Sequence, residues 1–374
     1  MNKIIETDIA IIGAGAAGLS AAYEAAQAGA KVLVIDENQQ PGGQLFKQIH
    51  KFFGSYQHQA GVRGFNIGAR LLKQVEQSGA KVLLNSIVYG LLPGKNIGLM
   101  TGGANPQNCR ISPKKIIIAA GAKENYMAFP GSTLPGIMGA GAAQTMINVN
   151  RVLPGKQVLM VGSGNVGLIV SYQLLQAGAN VLAVIEGAPL IGGYAVHAAK
   201  IRRAGVPILT GHIVTQAQGT DQISQVHVSA ADQNMRPIPG TKQIFHADTL
   251  CLAIGLNPMT ELAQMAGCAF TYIPEFGGHV PLHDSDMQSS VADIYVAGDI
   301  TGVEEASSAM EEGRLAGVAA AQALGYLTTQ EATAKKAEIT ARLETLRSGL
   351  FGAKRKAAKE KQLTAYQGRL THER

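Results

Sequence analysis

Residues 8–37 read DIAIIGAGAAGLSAAYEAAQAGAKVLVIDE, and this stretch decides the fold. An apolar run, Ile9 to Ile12, stops at Gly13-Ala14-Gly15-Ala16-Ala17-Gly18. A small-residue segment follows to Gly29, and a second apolar run, Val32 to Ile35, ends in Asp36-Glu37. The pattern predicts strand, tight turn, helix and strand. Gly13 permits the turn, Gly15 lets backbone approach a pyrophosphate, and Gly18 lets the helix pack close on the strand. The helix start, Ala16 and Ala17, offers unpaired N–H groups and the positive end of a dipole to phosphate. Asp36 lies where a carboxylate can accept a hydrogen bond from a ribose hydroxyl. A dinucleotide site is the expectation.

The pattern returns 149 residues later. Gln157 to Val161 reads as a strand, Gly162-Ser163-Gly164-Asn165-Val166-Gly167 as a glycine turn, and Leu168 to Ala177 as a helix. Gly13, Gly15, Gly18, Gly29 and Val32 map onto Gly162, Gly164, Gly167, Gly178 and Val181. A repeat on this scale predicts two nucleotide-binding lobes. At the same offset Asp36 maps onto Ile185 and Glu37 onto Glu186, so the ribose-reading position of the second lobe is expected to be apolar. No Arg cluster follows to hold a 2′-phosphate. A nicotinamide cofactor there would be NADH rather than NADPH. The alternatives are a second lobe that holds another nucleotide, or one that keeps its glycines for packing alone.

A chain of 374 residues predicts two or three lobes rather than one core. The 45 glycines sit between apolar runs and mark turns. Three cysteines, Cys109, Cys251 and Cys268, form no CxxC. That argues against a metal site, an iron–sulfur cluster or a redox disulfide, and for a reducing, cytoplasmic setting. The N-terminal MNKIIETD has no signal-peptide core, and no apolar run is long enough to span a membrane. Of the 32 Lys and Arg, eleven lie in 331–374 with only five of the 26 acids, so the tail carries the whole net charge of +6. It is expected to be a solvated helix or one docked on a partner. A nucleic-acid role would need a basic face with aromatics, which is lacking.

Between the repeats, Pro41-Gly42-Gly43-Gln44 lets backbone pass close to a ligand. Residues 46–66 read as an irregular loop carrying His50 and His58, each expected to be a surface residue. Ile67 to Ser78 reads as a helix, Val82 to Leu92 as extended, Gly94 to Arg110 as a hairpin, and Lys115 to Ala122 as a buried strand ending in Ala120-Gly121. Two Pro-Gly turns at 130–136 mark a boundary between lobes. Leu250 to Leu256 marks the return to the first lobe. A last strand, Ile294 to Val296, runs into Ala297-Gly298-Asp299, with a helix from about Ala306-Ser307. The expected division is 1–125, 126–247, 248–328 and a basic tail, 329–374.

The two glycine turns, the small-residue strand end at 119–121 and the late Ala-Gly-Asp together resemble the two-dinucleotide-binding-domain flavoproteins of the thioredoxin-reductase type. The resemblance covers about residues 5–325. It implies an α/β fold of two Rossmann-like, three-layer ββα domains, the second inserted in the first, with a helical tail. It implies FAD in the first lobe and NAD(H) in the second, with hydride passing between the rings. Carried over by position, FAD would meet Gly13, Gly15, Ala16, Ala17, Gly18, Asp36, Glu37, Gly43, Gln44, Val88 (against the adenine), Ala120, Gly121, Gly298, Asp299 (on the sugar-alcohol chain), Ala306 and Ser307. The second nucleotide would meet Gly162, Gly164, Asn165, Val166, Gly167 and Glu186. GGQLFKQ, FPGSTLPGIMGAGAAQTM, EEGRLAGVAAAQALG and LRSGLFG look like the FAD/NAD-binding alpha subunits of opine oxidase, hydrogen cyanide synthase, dye-linked proline dehydrogenase and sarcosine oxidase. That finer resemblance implies one subunit of an amino- or imino-acid dehydrogenase, partnered by a second flavoprotein subunit. The alternatives are a stand-alone NAD(P)H-dependent reductase serving ferredoxin, a quinone or another carrier, and a nucleotide-holding scaffold without turnover. No acid, base or nucleophile stands out as catalytic.

Overall fold

The structure, a computed structural model, describes residues 3–372. In chain order the elements are β1 (Lys3–Ile12), α1 (Ala16–Gln27), β2 (Val32–Ile35), α2 (Gly64–Gln77), β3 (Lys81–Leu83), β4 (Ser86–Leu92), β5 (Asn96–Thr101), β6 (Asn108–Ile118) and β7 (Ala122–Glu124). Then come β8 (Ile137–Gly139), α3 (Ala140–Thr145), β9 (Gln157–Val161), α4 (Asn165–Gln176), β10 (Asn180–Glu186), α5 (Ala195–Arg203), β11 (Ile208–Thr210), β12 (His212–Gln218), β13 (Gln225–Ala230), β14 (Gln243–Phe245) and β15 (Thr249–Leu252). The last are β16 (Leu256–Pro258), α6 (Glu261–Met265), β17 (Phe270–Ile273), β18 (Gly278–Pro281), β19 (Ile294–Val296), α7 (Ala306–Ala323), α8 (Thr329–Leu346) and α9 (Gly349–His372).

The chain divides into two compact units, one formed by residues 3–123 with 257–372, the other by Glu124–Leu256. In the first, β3, β2, β1, β6 and β19 run parallel, while the early part of β6 continues antiparallel into β5 and β4. Strand periodicity splits the apolar residues between two faces. Ile9, Ile11, Val32, Val34 and Ile117 pack on Leu19, Ile67, Leu71 and Leu315 of the helices. Ala10, Ile12, Leu33, Ile35, Ile116 and Ile118 pack on Ile97, Leu99 and Ala263. The result is helices, parallel sheet and antiparallel strands in three layers. α1 and α7 touch backbone to backbone: a Cβ at Gly313 or Gly317 would fall on the carbonyl of Ala17 or Ala21.

The second unit repeats the plan. Its parallel sheet runs β11-β10-β9-β15-β8, with helices α3, α4 and α5 and an antiparallel sheet β12-β13-β14. One irregularity matters. β10 pairs with β9 through Val181↔Val158 and then Ala183↔Leu159, leaving Leu182 as a bulge. The faces confirm it: Val181 and Val184, three residues apart, share one core, and Ala183 and Ile185 share the other. A bulge puts two residues opposite one and shifts everything downstream by one.

The C-terminal tail lies on the first unit rather than standing free, which corrects the expectation of a free solvated helix. Ala332, Ile339 and Leu343 of α8 join the helical core, and Ala358 of α9 packs with Ile273, Phe276 and Val280. The tail's cations are matched by acids elsewhere in the same unit: Lys335 with Glu24, Lys336 with Asp286, Arg342 with Glu311 and Lys361 with Glu275, at 3.0, 2.6, 2.9 and 3.8 Å. The exposed pairs are worth about 0–1 kcal/mol each, so apolar packing and the buried pairs carry the docking.

Candidate functional site

In the first unit the Gly13–Gly18 turn closes on the ends of β2 and β6. Gly13 has φ +106°, and a Cβ there would run into the Ala119 carbonyl. Its N–H donates to the Ile35 carbonyl at 2.7 Å. The adjoining Ala14 N–H donates to Asp36 Oδ2 at 2.6 Å, while Asp36 Oδ1 accepts from the backbone and side-chain amides of Asn38 at 2.8 and 2.9 Å. Asp36 is 7% exposed and fully engaged with protein donors. The exposed carboxylate at the strand tip is Glu37. Gly42 donates to the Ala14 carbonyl at 2.7 Å, and a Cβ on Gly43 would come within 2.8 Å of Gly15 Cα, so the glycine pair crosses directly over the turn.

The second unit builds the same device. Gly162 has φ +99°, its missing Cβ faces the Ala253 carbonyl, and its N–H donates to the Ile185 carbonyl at 2.7 Å. Ile185 thus stands where Ile35 stands. Because of the bulge at Leu182, Glu186 takes the place of Asp36, one residue later than a constant offset allows. Glu186 Oε2 accepts from Ser163 N at 2.9 Å and Ser163 Oγ at 2.6 Å, and Oε1 accepts from Ala188 N at 2.8 Å. The sequence mapping of Asp36 onto an apolar Ile185 is therefore corrected: the acid is present. At the next position, where the first unit exposes Glu37, stands Gly187, with Met235 lying over it. A glycine pair that sequence reasoning missed, Gly192-Gly193, returns over this turn, Gly193 N donating to the Ser163 carbonyl at 2.8 Å. Its signal was legible, a second Gly-Gly six residues past the acid.

Three helices in these seats begin without a side-chain cap: α1 at Gly15, α4 at Gly164 and α7 at Glu305. None carries an acid in its first turn. α2, α5 and α6 also begin without a side-chain cap, and α8 is sealed by a capping box of Thr328 and Glu331, so it is the open glycine turns that single out α1 and α4. Uncapped N–H groups with a positive dipole end need an outside acceptor. A Cβ on Gly164 would meet nothing within 4 Å, so the ground above that turn is open. Val166 is exposed beside it, while Asn165 spends its Oδ1 on Tyr194 N at 2.9 Å. The residues present fit a phosphate-bearing cofactor at each turn.

The other residues singled out in the first unit are Val88, Ala120 and Gly121, all half-buried, with Gly121 at φ +77° and open ground where a Cβ would stand. Gly298 is buried against Ala17, and Asp299 follows it in a short 3₁₀ turn. Burial, with Glu312 and Glu304 nearby, pushes the Asp299 carboxyl up to about 7. Ala306 and Ser307 open α7. His58, expected at the surface, is buried: Nδ1 lies 2.9 Å from Ser55 Oγ and Nε2 3.1 Å from Glu311 Oε1, 253 residues away. Glu311 also pairs with Arg314 and Arg342. All three cysteines are buried and unbridged, and burial together with Glu124 pushes the Cys251 thiol up to about 12. Among the described residues no helix is long and apolar enough to cross a membrane.

The sequence pattern of the pyridine nucleotide-disulphide oxidoreductase family matches residues 7–323. An opine oxidase subunit from Agrobacterium tumefaciens (strain Ach5) is 30% identical over 86% of this chain and 67% of its own length. The alpha subunit of sarcosine oxidase from Corynebacterium sp. (strain P-1) is 27% identical over 86% of this chain, which spans a third (33%) of that protein. Among solved structures, thioredoxin reductase of T. acidophilum superposes with a TM-score of 0.69 at 21% identity, over 85% of this chain and 99% of its own. L-proline dehydrogenase of P. horikoshii also gives 0.69 at 21% identity, over 92% of this chain and 60% of its own. Those superpositions fix the fold. With two glycine-turn seats and a match across both units, the chain is an oxidoreductase and belongs to the pyridine nucleotide-disulphide oxidoreductase family, which implies FAD and a pyridine nucleotide as cofactors.

Proposed function

We propose that this chain is the FAD- and nucleotide-holding subunit of a multi-subunit amino- or imino-acid dehydrogenase, working in the cytoplasm. The observation that carries the reading is the pair of matching seats, each a glycine turn braced by an acid, Asp36 buried and Glu186 half-buried, and crossed by a second glycine pair. Relatives named as subunits of opine oxidase and sarcosine oxidase support the amino-acid side of it. The thiols are buried, which leaves disulfide reduction without an attacking group.

In the first unit, the turn from Gly13 through Gly18 holds the FAD pyrophosphate, with Ala16 and Ala17 opening the helix beneath it. Glu37 reaches the ribose, Asp36 keeps the turn in shape, and Val88 lies against the adenine. Gly43, Gln44, Ala120 and Gly121 line the path of the cofactor, and Asp299 holds its sugar-alcohol chain. The N–H groups at Ala306 and Ser307 favour negative charge on the ring carbonyl. FAD, when bound, supplies the hydride and electron transfer. In the second unit, Gly162, Gly164, Val166 and Gly167 receive a phosphate while Glu186 and Asn165 brace the turn. With no Lys or Arg in the loop 187–194 that follows Glu186, NAD(H) is the nucleotide of choice. The substrate pocket then belongs to a second flavoprotein subunit.

The presence of Glu186 strengthens one other reading, a stand-alone NADH-dependent reductase serving ferredoxin, a quinone or another acceptor. An anaerobic titration of the purified chain with NADH separates the two. A flavin spectrum that NADH leaves oxidised, and that bleaches with an amino acid once the partner subunit is added, supports the subunit reading. Rapid bleaching by one equivalent of NADH supports the reductase. A protein that takes up no FAD refutes both.

A further inference from the structure

Two consecutive glutamates, Glu311 and Glu312, sit in the second turn of α7 and are both buried. Glu311 ties in His58 and α8. Glu312, 2% exposed, faces the Gly298-Asp299 turn. Its Oε2 accepts the Gly298 N–H at 3.1 Å and lies 2.8 Å from Thr301 Oγ1. Its Oε1 lies 2.6 Å from Arg347 Nη2 and 3.0 Å from Lys359 Nζ. Lys359, on α9, is only 5% exposed and reaches in from 47 residues further along the chain. It also donates to the carbonyl and hydroxyl oxygens of Thr301 at 3.2 and 3.1 Å, and lies 5.0 Å from the centre of the Phe276 ring. Arg347, at the end of α8, holds Glu304 at 2.7 Å as well, in the loop between the turn and α7.

A buried carboxylate is costly unless its charge is matched, and so is a buried ammonium. Here each meets the cost of the other, and the N–H of Gly298 depends on the outcome. Without the two cations, the Glu312 carboxylate would turn toward water, and the turn would lose its acceptor. The tail therefore fixes the segment 298–306 from both ends, through Glu312 and through Glu304.

We propose that Lys359 and Arg347 are positioning residues of the flavin site, acting through Glu312 to hold the Gly298-Asp299 turn and the start of α7 in the geometry that receives FAD. This rests on the reading that the first unit holds FAD. The C-terminal helices thereby become part of the cofactor site, through Glu312 and Glu304.

The test is a mutant cycle on the full chain: wild type, K359M, E312Q and K359M/E312Q. FAD dissociation constants come from flavin fluorescence quenching. The flavin midpoint potential and the thermal stability of the apoprotein are measured alongside. The expected result is an FAD affinity lower by about tenfold or more in K359M, a more negative midpoint potential, and recovery in K359M/E312Q, where a neutral acceptor needs no cation. If K359M does not fold, the comparison is between E312Q and the double variant, which should bind FAD at least as tightly because it no longer buries an unmatched ammonium. Wild-type affinity and potential in K359M, or a double variant weaker than E312Q, overturns the proposal. A wild type that takes up no FAD overturns the cofactor reading along with it.

Discussion

Asp36 and Glu37 stand side by side in the sequence and are expected to fail in opposite ways. Asp36 accepts three N–H bonds, and the one from Ala14 is buried, short and charge-assisted. Asp36→Ala leaves that donor without an acceptor, while the amides of exposed Asn38 turn to water. One buried donor orphaned from a carboxylate costs about 2 kcal/mol. For a unit of this size that is a fall in Tm of about 4–8 °C in the apoprotein. Glu37→Ala removes an exposed side chain with no partner to lose, so the apoprotein should melt within about 0.5 kcal/mol of wild type. Its cost falls on FAD: two lost hydrogen bonds to ribose, about 1 kcal/mol each, weaken binding by roughly 10- to 30-fold. Differential scanning fluorimetry of the apoproteins and titration with FAD read the two effects separately. An Asp36→Ala protein as stable as wild type, or a Glu37→Ala protein with wild-type affinity for FAD, would refute the division of labour argued here.

Glu186→Ile should cost the second unit about 2 kcal/mol, since the Ser163 and Ala188 N–H groups lose their acceptor, and should abolish its nucleotide binding; unchanged NADH affinity by isothermal titration would contradict the corrected register. Asp299 holds its proton up to about 7 when folded against 3.8 when unfolded, so its contribution is fully present below pH 3.8 and lost as the pH rises through 7. Asp299→Asn apoprotein should accordingly melt above wild type at pH 8, with the gap closing toward pH 4. Ellman's reagent should find no reactive thiol in the native protein and three in guanidinium; a fast-reacting native thiol would reopen disulfide chemistry.

The parts of this molecule fixed by local pattern were legible in its sequence. Strand, turn and helix around Gly13 and Gly162 depend on neighbours in the chain, and both units carry them where the spacing placed them. The Gly-Asp turn before α7 was legible for the same reason. What escaped depends on partners far away. The bulge at Leu182 is a property of how β10 pairs with β9, and no residue in Asn180–Glu186 announces it. His58 looked like a loop histidine because Glu311, which buries it, lies 253 residues on. The tail looked like surplus charge because Glu24, Asp286, Glu304 and Glu312 are scattered across the sequence and only folding brings them to its lysines and arginines.

The bulge at Leu182 has a consequence for how such a protein tolerates change in length. An extra residue inside a strand ordinarily turns every later side chain to the wrong face, much as a single inserted base scrambles a message. Here the insertion is corrected within one step, because Leu182 is set aside and Ala183 resumes the pairing. Ile185 returns to the core, Glu186 to the glycine turn, and the message downstream is unaltered. The two halves of this chain can therefore drift in length within a strand that lies between two others, and still deliver the same acid to the same backbone N–H.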